Sequence, residues 1–181
     1  MNGIDVYVLQ TLYALRDPAF VQGFIAITQL GSTFVIGGLS LLAGCTLIVR
    51  QRISHFIGLC ICVMGTIAVV FPLKELIARA RPDILYQVYA EDTFSFPSGH
   101  AAFSIALYGF ITYLAWKYLP EKRRGFVLIL ATLVIGLVGF SRLYLGLHFA
   151  SDVLAGYAIG GAFLAMGIVV SERLSRLSIW S

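Results

Sequence analysis

The chain has 181 residues, of which 59% are hydrophobic and 12% charged, with a formal net charge of +4 and a mean hydropathy of +0.90. Soluble domains carry about 25% charged residues, so these values exclude an ordinary soluble domain and point to a chain that crosses a membrane several times. No basic run exceeds three residues, which argues against a nucleic-acid partner, and the length suits one integral membrane domain over residues 1–181.

In chain order, Ile4, Val8, Leu12 and Leu15 form one helical stripe with Asp5 off it. This predicts a helix over residues 4–15. It is too short to cross about 30 Å of hydrocarbon and is expected to lie on the bilayer, ended by Asp17-Pro18. The start has neither a basic leader nor a small-residue cleavage site, so no cleavable signal peptide is expected. A second helix is expected from Pro18, a good first-turn residue, to about Gln29. Gly31-Ser32 opens the first span, Thr33 to Val49. The second span runs from Ile53 to about Leu73 and continues as a more polar helix, Lys74 to Ala80, stopped by Arg81-Pro82. A polar loop follows, Asp83 to Pro97, in which Asp83, Glu91 and Asp92 are expected to be solvated. The third span runs from Ser98 to Tyr118. A basic turn, Pro120 to Arg124, leads to the fourth, Phe126 to about Phe140, and the fifth is Val153 to Val170. The tail, SERLSRLSIWS, is polar with an aromatic end. The predicted fold class is therefore all-α: a polytopic membrane helical bundle of about five transmembrane helices plus N-terminal interfacial helices.

Three cysteines, Cys45, Cys60 and Cys62, lie inside apolar runs. An odd count there argues against disulfides and zinc and for packing. Gly156 and Gly160 share a helix face and let backbones approach closely; packing within one chain is the preferred role, and the oligomeric state stays open. Eight basic residues (Arg50, Arg52, Lys117, Lys122, Arg123, Arg124, Arg173, Arg176) fall at one set of span ends, which marks that side as cytoplasmic. Five spans then put the N-terminus outside and the C-terminus inside.

Four polar clusters fall at the opposite, outer level. Lys74 and Arg81 are seven apart and would share a helix face. Ser98 is a good N-cap, Gly99 permits close backbone approach, and the helix N-terminus they open is an anion site. His100 stands in its first turn. Arg142 offers a fork of donors suited to an oxyanion. His148 and Asp152 are four apart, so on a helix the carboxylate would orient the imidazole and raise its basicity. Ionisable groups at such depth are costly without a partner or a task. Their gathering at one level predicts a site that binds and attacks an oxyanion. The third histidine, His55, is read as interfacial.

Lys74-x6-Arg81-Pro82, Pro97-Ser98-Gly99-His100 and Ser141-Arg142-x5-His148-x3-Asp152 resemble the three signature motifs of the type 2 phosphatidic acid phosphatase (PAP2) superfamily, which also includes vanadium haloperoxidases. The motifs span residues 74 to 152 and stand in the family's order. Many bacterial members have six spans where this chain is read as having five. The resemblance implies an integral membrane lipid phosphatase. His148 would attack phosphorus, Asp152 would orient it, and His100 would protonate the leaving oxygen and then activate water. Lys74, Arg81 and Arg142, with Ser98 and the Gly99 amide, would bind the phosphate. Three cations would replace a metal ion, so no metal or other cofactor is expected. The implied setting is the plasma (inner) membrane, with the site on its outer or periplasmic face. Partners are the bilayer and a lipid phosphate: undecaprenyl diphosphate, phosphatidylglycerol phosphate, phosphatidic acid or a lipid A phosphate. A haloperoxidase, or a non-catalytic lipid-binding or transport protein, are the readings from other classes.

Overall fold

A computed structural model describes residues 3–177, so the aromatic end of the tail, Ile179-Trp180, lies outside the described residues. These residues form helices only: α1 (Gly3–Ala14), α2 (Pro18–Gln29), α3 (Thr33–Val49), α4 (Ile53–Ile77), α5 (Gly99–Tyr118), α6 (Glu121–Tyr144) and α7 (Ala150–Arg176). Asp17 starts α2 by accepting the Ala19 amide at 2.8 Å, and Pro18 follows it where a missing amide proton costs nothing.

Hydropathy separates the helices by where they sit. Four segments are long and apolar enough to cross a membrane: Pro18–Val49, Ile53–Ile77, Glu121–Tyr144 and Ala150–Arg176. The first joins α2 and α3, which the sequence reading kept apart, because only the short turn at Leu30–Ser32 interrupts them. The 20 residues of α5 are long enough to cross, about 30 Å at 1.5 Å per residue, yet α5 is absent from the four. Its hydropathy is lowered by His100, Tyr108, Thr112, Tyr113, Trp116 and Lys117, none of them fully buried. It packs against α3, α4, α6 and α7, with Ala101, Ala102, Ser104 and Ala106 buried beside Phe103, Leu107 and Phe110. Outer helices show the opposite pattern, and Phe34, Leu41 and Leu42 on α3 and Ile129 and Leu133 on α6 are exposed, as lipid-facing side chains must be. The chain is thus a multi-pass membrane protein.

Helix ends differ from the hydropathy reading where hydrogen bonding outlasts apolarity. α6 begins at Glu121, directly after Pro120, so the basic residues 122–124 belong to its first turns. Arg124 is accommodated by donating to the Leu119 carbonyl at 3.1 Å and lying over the Trp116 ring. α7 starts three residues before Val153 and runs on through the polar tail to Arg176. Cys62 is buried, while Cys45 is exposed on α3, so only the former packs in the core as expected. His55 is 1% exposed rather than interfacial. Its ring nitrogens meet Ser171 Oγ at 2.5 Å and Tyr118 Oη at 2.6 Å, tying α4, α5 and α7 together at the end remote from the polar clusters.

Close approach of α5 and α7 depends on the paired glycines. A Cβ on Gly160 would run into the Ala102 carbonyl oxygen, and one on Gly156 would stand 2.5 Å from the Ser98 carbonyl oxygen. Both glycines therefore serve packing within the chain. Gly160→Val is expected to lower stability by about 1–3 kcal/mol through overpacking, whereas Gly37→Ala, with nothing within 4 Å of the added carbon, should change it little. Thermal unfolding of the two variants in detergent checks the contrast.

Candidate active site

The site forms at one end of the bundle, where α4 ends, α5 begins and α6 turns into α7. The segment between α4 and α5 lies across it. α4 stops at Ile77, three residues short of the expected end, because Ala78 takes a left-handed conformation (φ 46°) and its amide closes on the Lys74 carbonyl at 2.9 Å. Arg79 and Arg81 therefore leave the helix. Arg81 does not share a helix face with Lys74; the chain turning back brings them together. Lys74, 7% exposed, donates from Nζ to the Phe94 carbonyl at 2.5 Å. Arg81 donates to Thr93 through Nε (2.6 Å, carbonyl) and Nη2 (2.9 Å, hydroxyl), and through Nη1 to the Leu147 carbonyl at 2.7 Å.

The link from α6 to α7 depends on Gly146, whose φ of +70° is a conformation that L side chains avoid. This turn leaves His148 ahead of α7, not on it. His148 and Asp152 do meet, with Nδ1 3.5 Å from Oδ2, but through a helix N-terminus: Asp152 reaches back to accept the Phe149 amide at 2.8 Å. Arg81 Nη1 donates to His148 Nε2 at 3.2 Å. Nε2 is thus the unprotonated nitrogen, and Nδ1 carries the proton toward Asp152. Ser95 is inserted beside them, donating to Asp152 Oδ2 at 2.5 Å and standing 3.4 Å from His148 Nδ1. Burial holds the His148 imidazole far below its ordinary range, at about 3, although the Asp152 bond works the other way. The ring is neutral at physiological pH, with a free-base nitrogen.

Arg142 is fully buried at the end of α6. It donates from Nη1 to Thr28 Oγ1 at 3.0 Å and Tyr89 Oη at 3.2 Å, and from Nη2 to Glu91. Glu91 also pairs with Arg81 Nη2 at 2.6 Å. The expected solvated loop residue therefore stands between two cations. Burial opposes its charge, but Arg142 and Arg81 outweigh that and hold its carboxyl at about 2. The sequence shows only a polar loop there; the two arginines that draw Glu91 inward lie ten residues before it and fifty-one after it.

A cavity of about 140 Å³ collects the parts, with Lys74, Arg81, Glu91, Gly99, His100 and His148 among its lining residues. Ser98 and Arg142, both buried, are not among the lining residues. Ser98 opens α5 as expected, but its hydroxyl makes no capping bond; Ser98 Oγ and Arg142 Nε are both buried without a partner. Among the described residues no group of three or more His, Cys, Asp or Glu side chains is arranged to hold a metal ion. Sequence reasoning missed Ser95, Glu91 and Arg79. Ser95 lies three residues before Ser98, and nothing in residue type alone marks it.

Known proteins resemble the chain over most of its length. The family model described as the PAP2 superfamily matches residues 55–176. Phosphatidylglycerophosphatase B of Bacillus subtilis is 35% identical over 179 residues, covering 97% of this chain and 87% of that protein. Lipid A 1-phosphatase of Rhizobium etli is 36% identical over 111 residues, or 58% of this chain and 45% of that protein. Among solved structures, a transmembrane PAP2-type phosphatidylglycerolphosphate phosphatase from Bacillus subtilis superposes with a TM-score of 0.85 at 30% identity, covering 93% of this chain and 85% of that one. With its three motifs gathered at one bundle end and these likenesses along nearly its whole length, the chain belongs to the PAP2 superfamily.

Proposed function

We propose that the chain hydrolyses the phosphate ester of a membrane lipid through a phosphohistidine, with phosphatidylglycerol phosphate as the leading substrate. The observation that carries this reading is a buried, neutral His148 whose unprotonated Nε2 faces the cavity shared by Lys74, Arg81 and His100. In line attack by Nε2 forms an N–P bond as the P–O bond to the lipid breaks. His100 gives its proton to the departing oxygen, then takes one from the water that releases phosphate. Asp152 supports the cationic ring. Lys74, Arg81 and Arg142 neutralise the non-bridging oxygens, and fixed positive charge is the main requirement of phosphoryl transfer. Two buried orphans fit the same role. Ser98 Oγ and Arg142 Nε lack partners, buried polar groups are rarely left so, and phosphate oxygens would satisfy both.

An apolar groove supports a lipid substrate. From the cavity wall at Thr33, Phe71 and Phe103 it continues between α3 and α4 past Gly37, Val63 and Ile67 to Cys45 and Ile48. A tail lying there keeps its headgroup at the cations. The near full-length Bacillus subtilis relative favours phosphatidylglycerol phosphate; the Rhizobium etli relative keeps a lipid A phosphate as the second choice, with undecaprenyl diphosphate and phosphatidic acid behind. The eight basic residues at the other bundle end support a plasma (inner) membrane placement with the cavity on the outer or periplasmic face. A non-catalytic lipid-binding protein would have no use for His100, His148 and Asp152 together.

Phosphate release from phosphatidylglycerol phosphate in detergent micelles should fall by about a thousandfold or more in His148→Ala and be unaffected by EDTA. A His148→Ala protein of wild-type activity would refute the mechanism, and loss of activity in EDTA would refute its independence of metal. Glu91 makes a second prediction, because it and a bound phosphate compete for Arg81 and Arg142. Glu91→Gln should tighten inhibition by inorganic phosphate about three- to tenfold, the effect of relieving one strong ion pair. The pairing of Glu91 stabilises above its ordinary value of 4.5 and is lost only as pH falls toward about 2. Glu91 is therefore ionised throughout about pH 5–8, and the tightening should be present across that range.

A further inference from the structure

Arg79 is an outer cation that the three motifs leave without a task. Its guanidinium lies 4.4 Å over the Phe149 ring and forks between two carboxylates. Nη1 donates to Asp152 Oδ1 at 2.5 Å and to Ser151 Oγ at 2.7 Å, and Nη2 donates to Asp5 Oδ2 at 2.8 Å. Asp5 is 3% exposed, although it stands on α1, whose Ile4, Tyr7 and Tyr13 face outward. The stripe spacing predicts a helix lying on the bilayer with Asp5 off its apolar stripe; in the structure Asp5 and Leu9 are the residues α1 turns to the bundle. The Ser151 amide and hydroxyl also donate to Asp5, at 2.9 and 2.6 Å.

Charge counting gives this cluster a meaning. An arginine bound directly to the carboxylate that orients His148 would cancel its charge. A cancelled carboxylate supports a cationic imidazole poorly, and that cation forms as Nε2 bonds to phosphorus while the lipid oxygen departs with the His100 proton. Asp5 supplies the compensating charge, so that Asp5, Arg79 and Asp152 together remain singly negative, with Asp152 Oδ2 left for His148, Ser95 and the Phe149 amide. We infer that Asp5 and Arg79 are positioning residues for phosphoryl transfer: Arg79 fixes Asp152, and Asp5 keeps the pair anionic toward His148. This rests on the phosphohistidine reading above. The competing explanation is structural, since the Ser151 amide is one of the unpaired donors at the start of α7 and Asp5 caps it from another helix.

The two accounts differ in a double variant. The full chain in detergent is assayed on phosphatidylglycerol phosphate as Asp5→Asn, Asp5→Glu, Arg79→Gln and Asp5→Asn/Arg79→Gln, beside His148→Ala. If Asp5 balances Arg79, Asp5→Asn lowers kcat about tenfold with KM within about twofold, the loss expected of a transition-state interaction. Removing Arg79 as well uncovers the Asp152 charge, so the double variant regains at least about threefold over Asp5→Asn, a non-additivity typical of one network. Asp5→Glu, which keeps the charge, stays closer to wild type than Asp5→Asn does. A double variant no more active than Asp5→Asn, or an Asp5→Asn that raises KM alone, overturns the inference. Should Asp5→Asn fail to fold, Arg79→Gln decides. It leaves both carboxylates in place and keeps Lys74, Arg81, Glu91, His100 and Arg142 around His148. The excess negative charge should move the acid limb of kcat/KM upward by at least about half a pH unit, and an unmoved limb counts against the proposal. Activity in His148→Ala would instead overturn the mechanism itself. An inactive His148→Ala beside a wild-type-like Asp5→Asn would overturn only the role of Asp5.

Discussion

Asp152 has no exposed surface, and a buried carboxylate must be paired and hydrogen-bonded or it will not stay charged. Four groups meet this demand: Arg79, Ser95, the Phe149 amide and His148. They come from the segment beyond α4, the loop before α5, and the turn before α7. Satisfying one charge thus requires three stretches of chain to converge on the first turn of α7. The helix N-terminus adds its own preference for negative charge at that point. Most of the polar end of the bundle follows from this requirement.

The cations extend the same logic. Arg142 is buried at the end of α6 and Lys74 nearly so at the end of α4, and each finds oxygen acceptors on the segment between α4 and α5: Glu91 and Tyr89 for Arg142, Phe94 for Lys74. Without those acceptors neither charge would be tolerable beside apolar helices. The loop is therefore part of the site, as much as the helices that carry the motifs. Glu91 has the largest effect, because it offsets two arginines while standing in the cavity that a phosphate would enter. Any anion entering the cavity would have to compete with this carboxylate for the two arginines.

Rigidity below the site comes from different physics. α5 is enclosed by four helices and approaches α7 through Gly156 and Gly160. The remote end is tied by His55 to Ser171 and Tyr118. His100 and Gly99 begin α5, so the most enclosed helix of the bundle carries both of these cavity-lining residues, and its packing limits how far they can move.

Much was legible from residue order. Long apolar runs identify membrane helices because lipid leaves the backbone no alternative to internal hydrogen bonding, and this constraint is local. The motif residues were legible because charged groups are so rare in such runs that their positions stand out. Helical spacing was a poorer guide at the site itself. Lys74 with Arg81, and His148 with Asp152, do converge, but each pair straddles a helix end, at Ala78 and at Phe149. Asp5, Arg79, Ser95 and Glu91 were beyond reach, since each has at least one partner from a distant stretch, as Asp5 does in Ser151 146 positions away. Local periodicity and composition therefore determined the helices, their membrane habitat and the family's reactive groups. Only the tertiary structure decided which buried charges neutralise one another, because electrostatic pairing depends on distance in space and on the water excluded there.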